Sequence, residues 1–234
     1  MDPLSPVRGP YSLNEQAYQA IKEAILNFRL KPGQDLVEAD LARMLGMSKT
    51  PVRDALLQLE KEGLVTKVLF KGTYVSDITP KSLIEIFEIR AVLEGLAARL
   101  AAPNFTDSDA VVADAYITKQ GQALRAGNLE KVSEYNRQFH EVIINLQDNE
   151  MLKPILRNLD DQLRRFRTLS TYQRGQADKS VNEHRKILDA LRANDPEQAE
   201  QTMRSHLTSV LADMTRGDIK GVIAEVTHSN KPED

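Results

Sequence analysis

Cysteine and tryptophan are absent from the 234-residue chain, and aromatic residues make up only 5% of it. Without cysteine the fold has no disulfide framework, which is compatible with a reducing cytosol. No apolar run approaches the roughly 20 residues that a membrane-spanning helix needs. Residues 1–10 also lack the apolar core of a signal peptide. We therefore expect a cytoplasmic protein with no membrane partner.

An excess of either charge is also missing. The chain has 31 lysine and arginine residues against 34 aspartate and glutamate residues, a net charge of −3. Residues 1–79 carry ten of each sign, so the strongly basic domain that often marks nucleic-acid binding is not present. Any DNA binding should then depend on local charges and on a dimer that uses two half-sites.

Two short amphipathic helices separated by a glycine are predicted near the middle of the first hundred residues. The first covers residues 37–45 and ends at Gly46. The second begins near Ser48 or Thr50, either of which can cap it, and Pro51 suits its first turn. Its apolar residues recur at helical spacing and are Leu56, Leu57, Leu59 and Leu64. This is the helix-turn-helix pattern, although in isolation an ordinary amphipathic helix would look similar.

Two strand-like runs, residues 64–69 and 73–75, follow the second helix, with a turn at Lys71 and Gly72 between them. A hairpin in this place is a wing, and a further helix over residues 11–28 precedes the motif. The order predicts a winged helix-turn-helix, a fold whose second motif helix enters the major groove of DNA.

The string PGQDLVEADLARMLGMSKTPVRDALLQLEKEGLV, residues 32–65, closely resembles the DNA-binding domain of the GntR family of bacterial repressors. The resemblance depends most on SKTPVRDAL and LEKEGLV. It implies a set of DNA-contacting residues, which are Arg43, Ser48, Lys49, Thr50, Pro51, Arg53, Lys71 and Gly72. Their chemistry agrees, because arginine commonly reads guanine and a glycine lets backbone approach a phosphate closely.

From Pro80 onward the sequence has long helical patterns without strand signals. Thr106 with Asp109, Asn128, and Asp195 followed by proline are local signals for helix starts. The first helix has an expected apolar stripe of Leu83, Ile86, Ile89, Leu93 and Leu96. The six expected helices cover residues 81–101, 106–127, 128–146, 150–170, 179–193, and 195 to beyond 214. Short loops between them predict an α-helical bundle.

The expected fold class is therefore mainly α, an N-terminal winged helix-turn-helix followed by an all-α bundle. We assign residues 1–10 to a flexible N-terminus and 11–76 to the DNA-binding domain. A linker over 77–80, a bundle domain over 81–216 and a tail over 217–234 complete the organisation.

Three of the four histidines fall on predicted inward faces of the bundle, namely His140, His184 and His206. Asn136 lies one helical turn before His140, so the two share a face. A single buried histidine is more often structural, bonded to a nearby carbonyl. Three imidazoles from separate helices, together with one amide oxygen, are nevertheless a sensible ligand set for zinc or another divalent transition metal. His228 lies in the polar tail and is given no role.

The runs EIRAVLEGLAARLAA, NRQFH and NEHRKILDALRANDPEQAEQTMRSHL, in this order, resemble the ligand-sensing FCD domain of the FadR subgroup of GntR regulators. The resemblance covers most of residues 80–215. In metal-containing members an Asp or Asn four residues before a His, and two later histidines, bind the metal. This implies a divalent metal, zinc or else nickel or another transition metal, on Asn136, His140, His184 and His206. Asn136 replaces the common carboxylate, which leaves the site more positive and favours an anionic effector.

Arg90, on the first helix of the bundle, is the matching candidate for effector binding, because a guanidinium can hold a carboxylate with two hydrogen bonds. An ion pair with Glu94, four residues further on, is an equal alternative for the same side chain.

The sequence thus predicts a sequence-specific DNA-binding regulator, a repressor that responds to a small carboxylate metabolite. It would act as a homodimer on a palindromic operator, with the effector either releasing or tightening DNA through a two-state switch. Two other functions stay open. One is a metal-dependent enzyme with a DNA-binding appendage, although no general base or nucleophile motif accompanies the proposed ligands. The other is a DNA-binding protein with an inert helical dimerisation module.

Overall fold

A computed structural model describes residues 12–169 and 174–216, with backbone alone for residues 166–169 and 174–177. The predicted flexible N-terminus and tail lie outside the described residues. Within the described ranges no helix is long and apolar enough to cross a membrane. These residues form two compact units, one of residues 12–79 with 161–169 and one of residues 80–160 with 174–216.

The first unit begins with three helices, α1 (Leu13–Leu26), α2 (Glu38–Leu45) and α3 (Lys49–Lys61). The side chain of Ser12 starts α1 by accepting a hydrogen bond from the amide of Glu15. Helix α1 packs against α3 and buries a continuous apolar face. That core contains Ala17, Ile21, Ala24 and Ile25 from α1, Leu41 and Leu45 from α2, and Val52, Ala55 and Leu59 from α3.

A two-stranded antiparallel hairpin completes the winged helix. Strands β1 (Val65–Val68) and β2 (Gly72–Val75) pair with Val65 opposite Val75 and Val68 opposite Gly72. Asp35 bridges to Tyr74 on the outer side of β2. The hairpin lies where the sequence predicts it, with Leu69 in the turn rather than in the first strand.

The remaining helices are α4 (Pro80–Ala101), α5 (Asp107–Arg125), α6 (Leu129–Leu146), α7 (Leu152–Leu169), α8 (Arg174–Arg192) and α9 (Pro196–Arg216), with a short 3-10 helix over Ala102–Asn104. In the second unit α4 packs against α9 and α6, α5 against α6 and α8, and α8 against α9. This arrangement places the interior faces of α6, α8 and α9 around one buried volume. The mainly α fold class, winged helix followed by helical bundle, is confirmed.

The predicted helix starts in the bundle are present as hydrogen-bonded caps. Thr106 and Asp109 form a reciprocal capping box, and the Asn128 side chain accepts from the amide of Lys131. The Asp195 carboxylate accepts from the amide of Gln198 at 3.0 Å. Helix α8 is longer than predicted, since it begins at Arg174.

Two residues of the predicted apolar stripes do not face a core. Ile89 is 48% exposed and Leu57 is 44% exposed. On α4 the inward position next to Ile89 is taken by Arg90, which is buried, and this rotates the buried face away from the predicted stripe.

Candidate functional site

The start of α3 is presented to solvent by a tight turn. Helix α2 ends at Gly46, whose φ of 66° is left-handed, and the amide of Met47 donates to the carbonyl of Ala42 at 2.9 Å. Glycine suits this conformation because it has no Cβ to clash. Beyond the turn, the predicted DNA-contacting residues of α3 that are exposed are Ser48, Lys49, Thr50 and Arg53.

Pro51 differs from its neighbours because it is buried. Its fixed φ suits the first turn of α3, and its burial argues against the DNA contact expected of it. Ser48 is the N-cap of α3, but its side chain makes no capping hydrogen bond. Thr50 lies inside the helix. The prediction that one of these hydroxyls caps α3 is therefore wrong in its hydrogen bond, although right for the position of Ser48.

The guanidinium of Arg53 is held by a carboxylate of the preceding helix. Its Nη2 lies 2.8 Å from Oε2 of Glu38, and its Nε lies 3.1 Å from both oxygens. This pair is accessible, since the Arg53 side chain is 61% exposed. The hydrogen bond from Arg53 lowers the pKa of Glu38. The guanidinium therefore has a defined orientation in the free protein, and a DNA contact has to compete with Glu38.

The other predicted DNA-contacting residues are on α2 and the wing. Arg43 is exposed and pairs with Asp40 at 2.9 Å. Lys71 is exposed in the turn of the hairpin. Gly72 has a φ of 138°, a conformation that side chains rarely adopt. All of these residues belong to the first unit, on which Arg43, Lys49, Arg53 and Lys71 form a set of exposed cations.

In the second unit α6, α8 and α9 bring His140, His184 and His206 together. The three residues face the core as predicted, and each is at most 4% exposed. One ring nitrogen from each lies within 4.8 Å of the others. Phe139 stacks on His184 with ring centroids 4.3 Å apart, so one side of the cluster is apolar.

Each imidazole is fixed through its Nδ1 atom by a different polar partner. The Nδ1 atom of His140 lies 2.5 Å from Oε2 of Glu94. The corresponding atoms of His184 and His206 lie 2.9 Å from Oε1 of Gln120 and Oε2 of Glu183. We name Glu94, Gln120 and Glu183 the acceptor set. Acceptors of this kind hold the other ring nitrogen of a metal-binding histidine in place and select the tautomer that leaves Nε2 unprotonated.

The Nε2 atoms of His184 and His206 lie 3.3 Å apart. Two nitrogens bonded to one tetrahedral zinc at about 2.0–2.1 Å would be separated by about 3.3 Å. If both rings donate from Nδ1 to the acceptor set, both Nε2 atoms carry lone pairs that point at each other. A cation between them would turn this repulsion into ligation, so the donor set fits a divalent metal with nitrogen ligands.

Burial keeps two of the histidines neutral. It lowers the pKa of His184 well below the usual range, and electrostatic repulsion between its protonated form and the neighbouring His206 and His140 lowers it further. Burial also lowers the pKa of His206, and this outweighs the opposing hydrogen bond to Glu183. Metal ligation requires neutral imidazole, so both rings are ready to bind at neutral pH.

Arg90 is engaged by Glu94, as in the ion-pair alternative from the sequence. The Arg90 Nε donates to Oε1 of Glu94 at 2.6 Å, and both side chains are almost fully buried. Burial alone would raise the pKa of Glu94, but Arg90 and His140 outweigh it and lower this pKa to about 2. Asn136 is half-buried on α6, one turn before His140.

Comparison with known proteins identifies both units. Residues 13–75 match the model described as bacterial regulatory proteins, gntR family, and residues 85–209 match the FCD domain. The chain belongs to the GntR family of transcriptional regulators, with an FCD domain. It is therefore a DNA-binding regulator and not an enzyme, and FCD domains are known to bind metals.

Individual relatives of this GntR regulator cover nearly the whole chain. It is 30% identical over 199 residues to an HTH-type transcriptional regulator from an unstable DNA locus of Streptomyces ambofaciens, covering 85% of this chain and 84% of the relative. It is 25% identical to the transcriptional repressor RspR of Escherichia coli strain K12, over 90% of each chain. The solved structure of E. coli McbR/YncC has a TM-score of 0.71 and 27% identity, covering 88% of this chain and 99% of the other.

The sequence does not predict the roles of the acceptor set and of Glu38 in this GntR regulator. Glu183 is adjacent to His184 in sequence, and the sequence indicates Glu94 only as a partner of Arg90. Gln120 could not be predicted from the sequence, because nothing in its own helix indicates that this polar residue is buried. Its Nε2 atom has no hydrogen-bond partner among the described residues, which leaves one buried donor next to His184.

Proposed function

We propose that this GntR regulator is a metal-containing repressor that binds a palindromic operator as a homodimer and responds to a small carboxylate. His140, His184 and His206 would bind one divalent metal, most suitably zinc, since three histidines with an open fourth position make a zinc site; imidazole ligands also suit nickel. Asn136 would be a weaker fourth ligand. Ser48, Lys49, Thr50 and Arg53, with Arg43, Lys71 and Gly72, would contact DNA.

The observation that carries the metal proposal is that one ring nitrogen from each of the three histidines lies within 4.8 Å of the others, while all three Nδ1 atoms are held by the acceptor set. A histidine with a purely structural role needs hydrogen-bond partners for its two ring nitrogens, but it does not need to lie beside two other buried histidines. The metal would supply positive charge and open coordination positions for an anion, because all four proposed protein ligands are neutral.

Two side chains support a carboxylate effector. The Nε2 of Gln120, which has no hydrogen-bond partner in the part of the chain that the structure describes, is a donor beside the histidine cluster. Arg90 is a second donor, but an effector would have to share it with Glu94. The name of RspR, a repressor, supports the direction of regulation proposed here.

The metal assignment is tested by removing ligands. Full-length protein is stripped with a chelator and titrated with zinc by calorimetry. We expect the wild type to bind a single equivalent and the His184→Ala/His206→Ala variant to show no saturable binding at the same concentrations. His228→Ala, which changes the fourth histidine, serves as the control and should bind like the wild type. Stoichiometric zinc in the double variant would mean that the ligand set is wrong.

The DNA assignment is tested at Arg53. A bidentate arginine–guanine contact contributes about 1–3 kcal/mol, and a dimer loses one such contact in each half-site, so Arg53→Ala should weaken binding to an operator by at least roughly 30-fold. The probe is the duplex that wild-type protein enriches from a randomised library at low salt. Lys61→Ala, at the opposite end of α3, is the matched control. Zinc content should stay unchanged in both variants, and unaltered operator affinity of Arg53→Ala would refute the groove assignment.

A further inference from the structure

The tip of the wing carries two large apolar side chains in full contact with solvent. Phe70 is 99% exposed and Leu69 is 75% exposed. They form the turn between β1 and β2, together with Lys71. An aromatic side chain that buries nothing gives the free protein no hydrophobic stabilisation.

The backbone of Phe70 is also unfavourable for its side chain. The amide of Lys71 donates to the carbonyl of Val68 at 3.0 Å, which closes a turn with Phe70 as its third residue. Phe70 has a φ of 61° there. Glycine or asparagine is preferred at this position, and a bulky residue with positive φ is strained. Either of these residues would serve the turn better than phenylalanine, so the stability of the fold does not account for Phe70.

The turn is nevertheless held by a hydrogen bond to β2, and two lysines lie close to it. The hydroxyl of Tyr74 donates to the carbonyl of Lys71 at 3.0 Å. Lys67 on β1 and Lys71 in the turn are both exposed. Strand β1 packs against α3, the helix proposed to enter the major groove. With α3 in the major groove, a hairpin beside this helix can contact the flanking phosphates and the adjacent minor groove.

We propose that Phe70, with Leu69 beside it, is an apolar wedge that inserts at a base step in the minor groove flanking each half-site and bends the operator. This rests on the proposed position of α3 in DNA. Apolar wedges of Phe or Leu unstack such steps and kink the duplex toward the major groove, and Lys67 and Lys71 neutralise the phosphates on either side. The wedge favours a flexible pyrimidine–purine step at this position, because such steps unstack most easily.

The test compares Phe70→Asn, Phe70→Leu and Lys71→Ala with the wild type on the library-enriched duplex. Asparagine tolerates the left-handed turn, so Phe70→Asn should keep or raise the melting temperature. It should weaken DNA binding by at least about tenfold, because each protomer of the dimer loses one base–aromatic stack. Thymines at the flanking step should react with permanganate in the wild-type complex and be protected with Phe70→Asn. Phe70→Leu keeps an apolar wedge and should retain the reactivity.

Salt dependence separates the wedge from the cations around it. Phe70→Asn should leave the slope of log affinity against log salt unchanged, whereas Lys71→Ala should reduce it by about two units, one for each half-site. Wild-type affinity and unreactive thymines with Phe70→Asn, while Arg53→Ala loses binding, would overturn the wedge and leave the groove assignment intact. Unchanged binding by Arg53→Ala would locate the failure in the groove assignment itself. A lower melting temperature, or a changed oligomeric state by sedimentation, in Phe70→Asn would also overturn the wedge, because Phe70 would then serve the protein alone.

Discussion

Glu183 is the residue at which the role of the acceptor set in the histidine cluster can be tested most directly. Its Oε2 accepts from His206 and its Oε1 accepts from Ser209 at 2.8 Å. Burial would raise the pKa of Glu183, but these two hydrogen bonds outweigh it and lower the pKa. The residue is thus a carboxylate at neutral pH that orients an imidazole and increases its basicity.

Removing this carboxylate should weaken metal binding without removing a ligand. We expect Glu183→Ala to lower zinc affinity by about 10–100-fold, the range seen for partners that orient metal ligands. Glu183→Gln keeps an oxygen acceptor and loses the charge, so it should recover part of the affinity. Competition with a chromophoric chelator measures both variants. Glu134→Ala, an exposed change on α6, is the control, and equal affinity in Glu183→Ala and Glu134→Ala would contradict this role for Glu183.

Arg90 and Glu94 illustrate how one buried charge depends on another. Each is at most 4% exposed, and Glu94 also contacts His140. Removal of one partner from such a pair leaves an uncompensated buried charge, which is strongly destabilising. A variant of either residue therefore reports on folding as well as on effector binding, and the histidine variants are the cleaner test of the metal.

At the scale of elements, local signals in the sequence were sufficient where a short stretch decides its own structure. The capping residues Thr106, Asn128 and Asp195 start their helices as predicted because each cap bonds to an amide three residues away. Gly46 ends α2 for an equally local reason. The burial of Ile89 was predicted wrongly, since which face of α4 is inward depends on helices distant in sequence.

Only part of the histidine cluster could likewise be predicted from local signals in the sequence. Inward-facing His140, His184 and His206 follow from helical periodicity, which a single helix displays. Their partners Glu94, Gln120 and Glu183 lie 46, 64 and 23 residues away along the chain. No spacing rule within one helix identifies such contacts, so the acceptor set becomes evident only from the packing of five helices.

At the scale of the whole molecule, the balanced charge limits how DNA affinity can arise. The net charge is −3, and two of the exposed cations proposed to meet DNA, Arg43 and Arg53, are paired with carboxylates. Such a surface gives little of the sequence-independent attraction that basic proteins have. Affinity must then come from two half-sites read together, which is the physical reason for proposing a dimer.

Regulation is also a property of the whole molecule, because the effector and the operator bind to different units of the same protein. An effector changes operator affinity only through its different affinities for the two states, and the coupling is reciprocal.

We select the acid from a panel of small carboxylic acids by the largest chelator-sensitive rise in melting temperature. Its Kd should change on saturation with operator duplex by the same factor, roughly 5–150-fold, as the acid changes the Kd of the duplex. Calorimetry and fluorescence anisotropy measure the two factors, and their common direction states whether the acid releases or tightens DNA. The His184→Ala/His206→Ala variant should bind duplex with no response to the acid. If no acid in the panel raises the melting temperature, or the acid that does leaves duplex affinity unchanged, the helical domain is an inert dimerisation module.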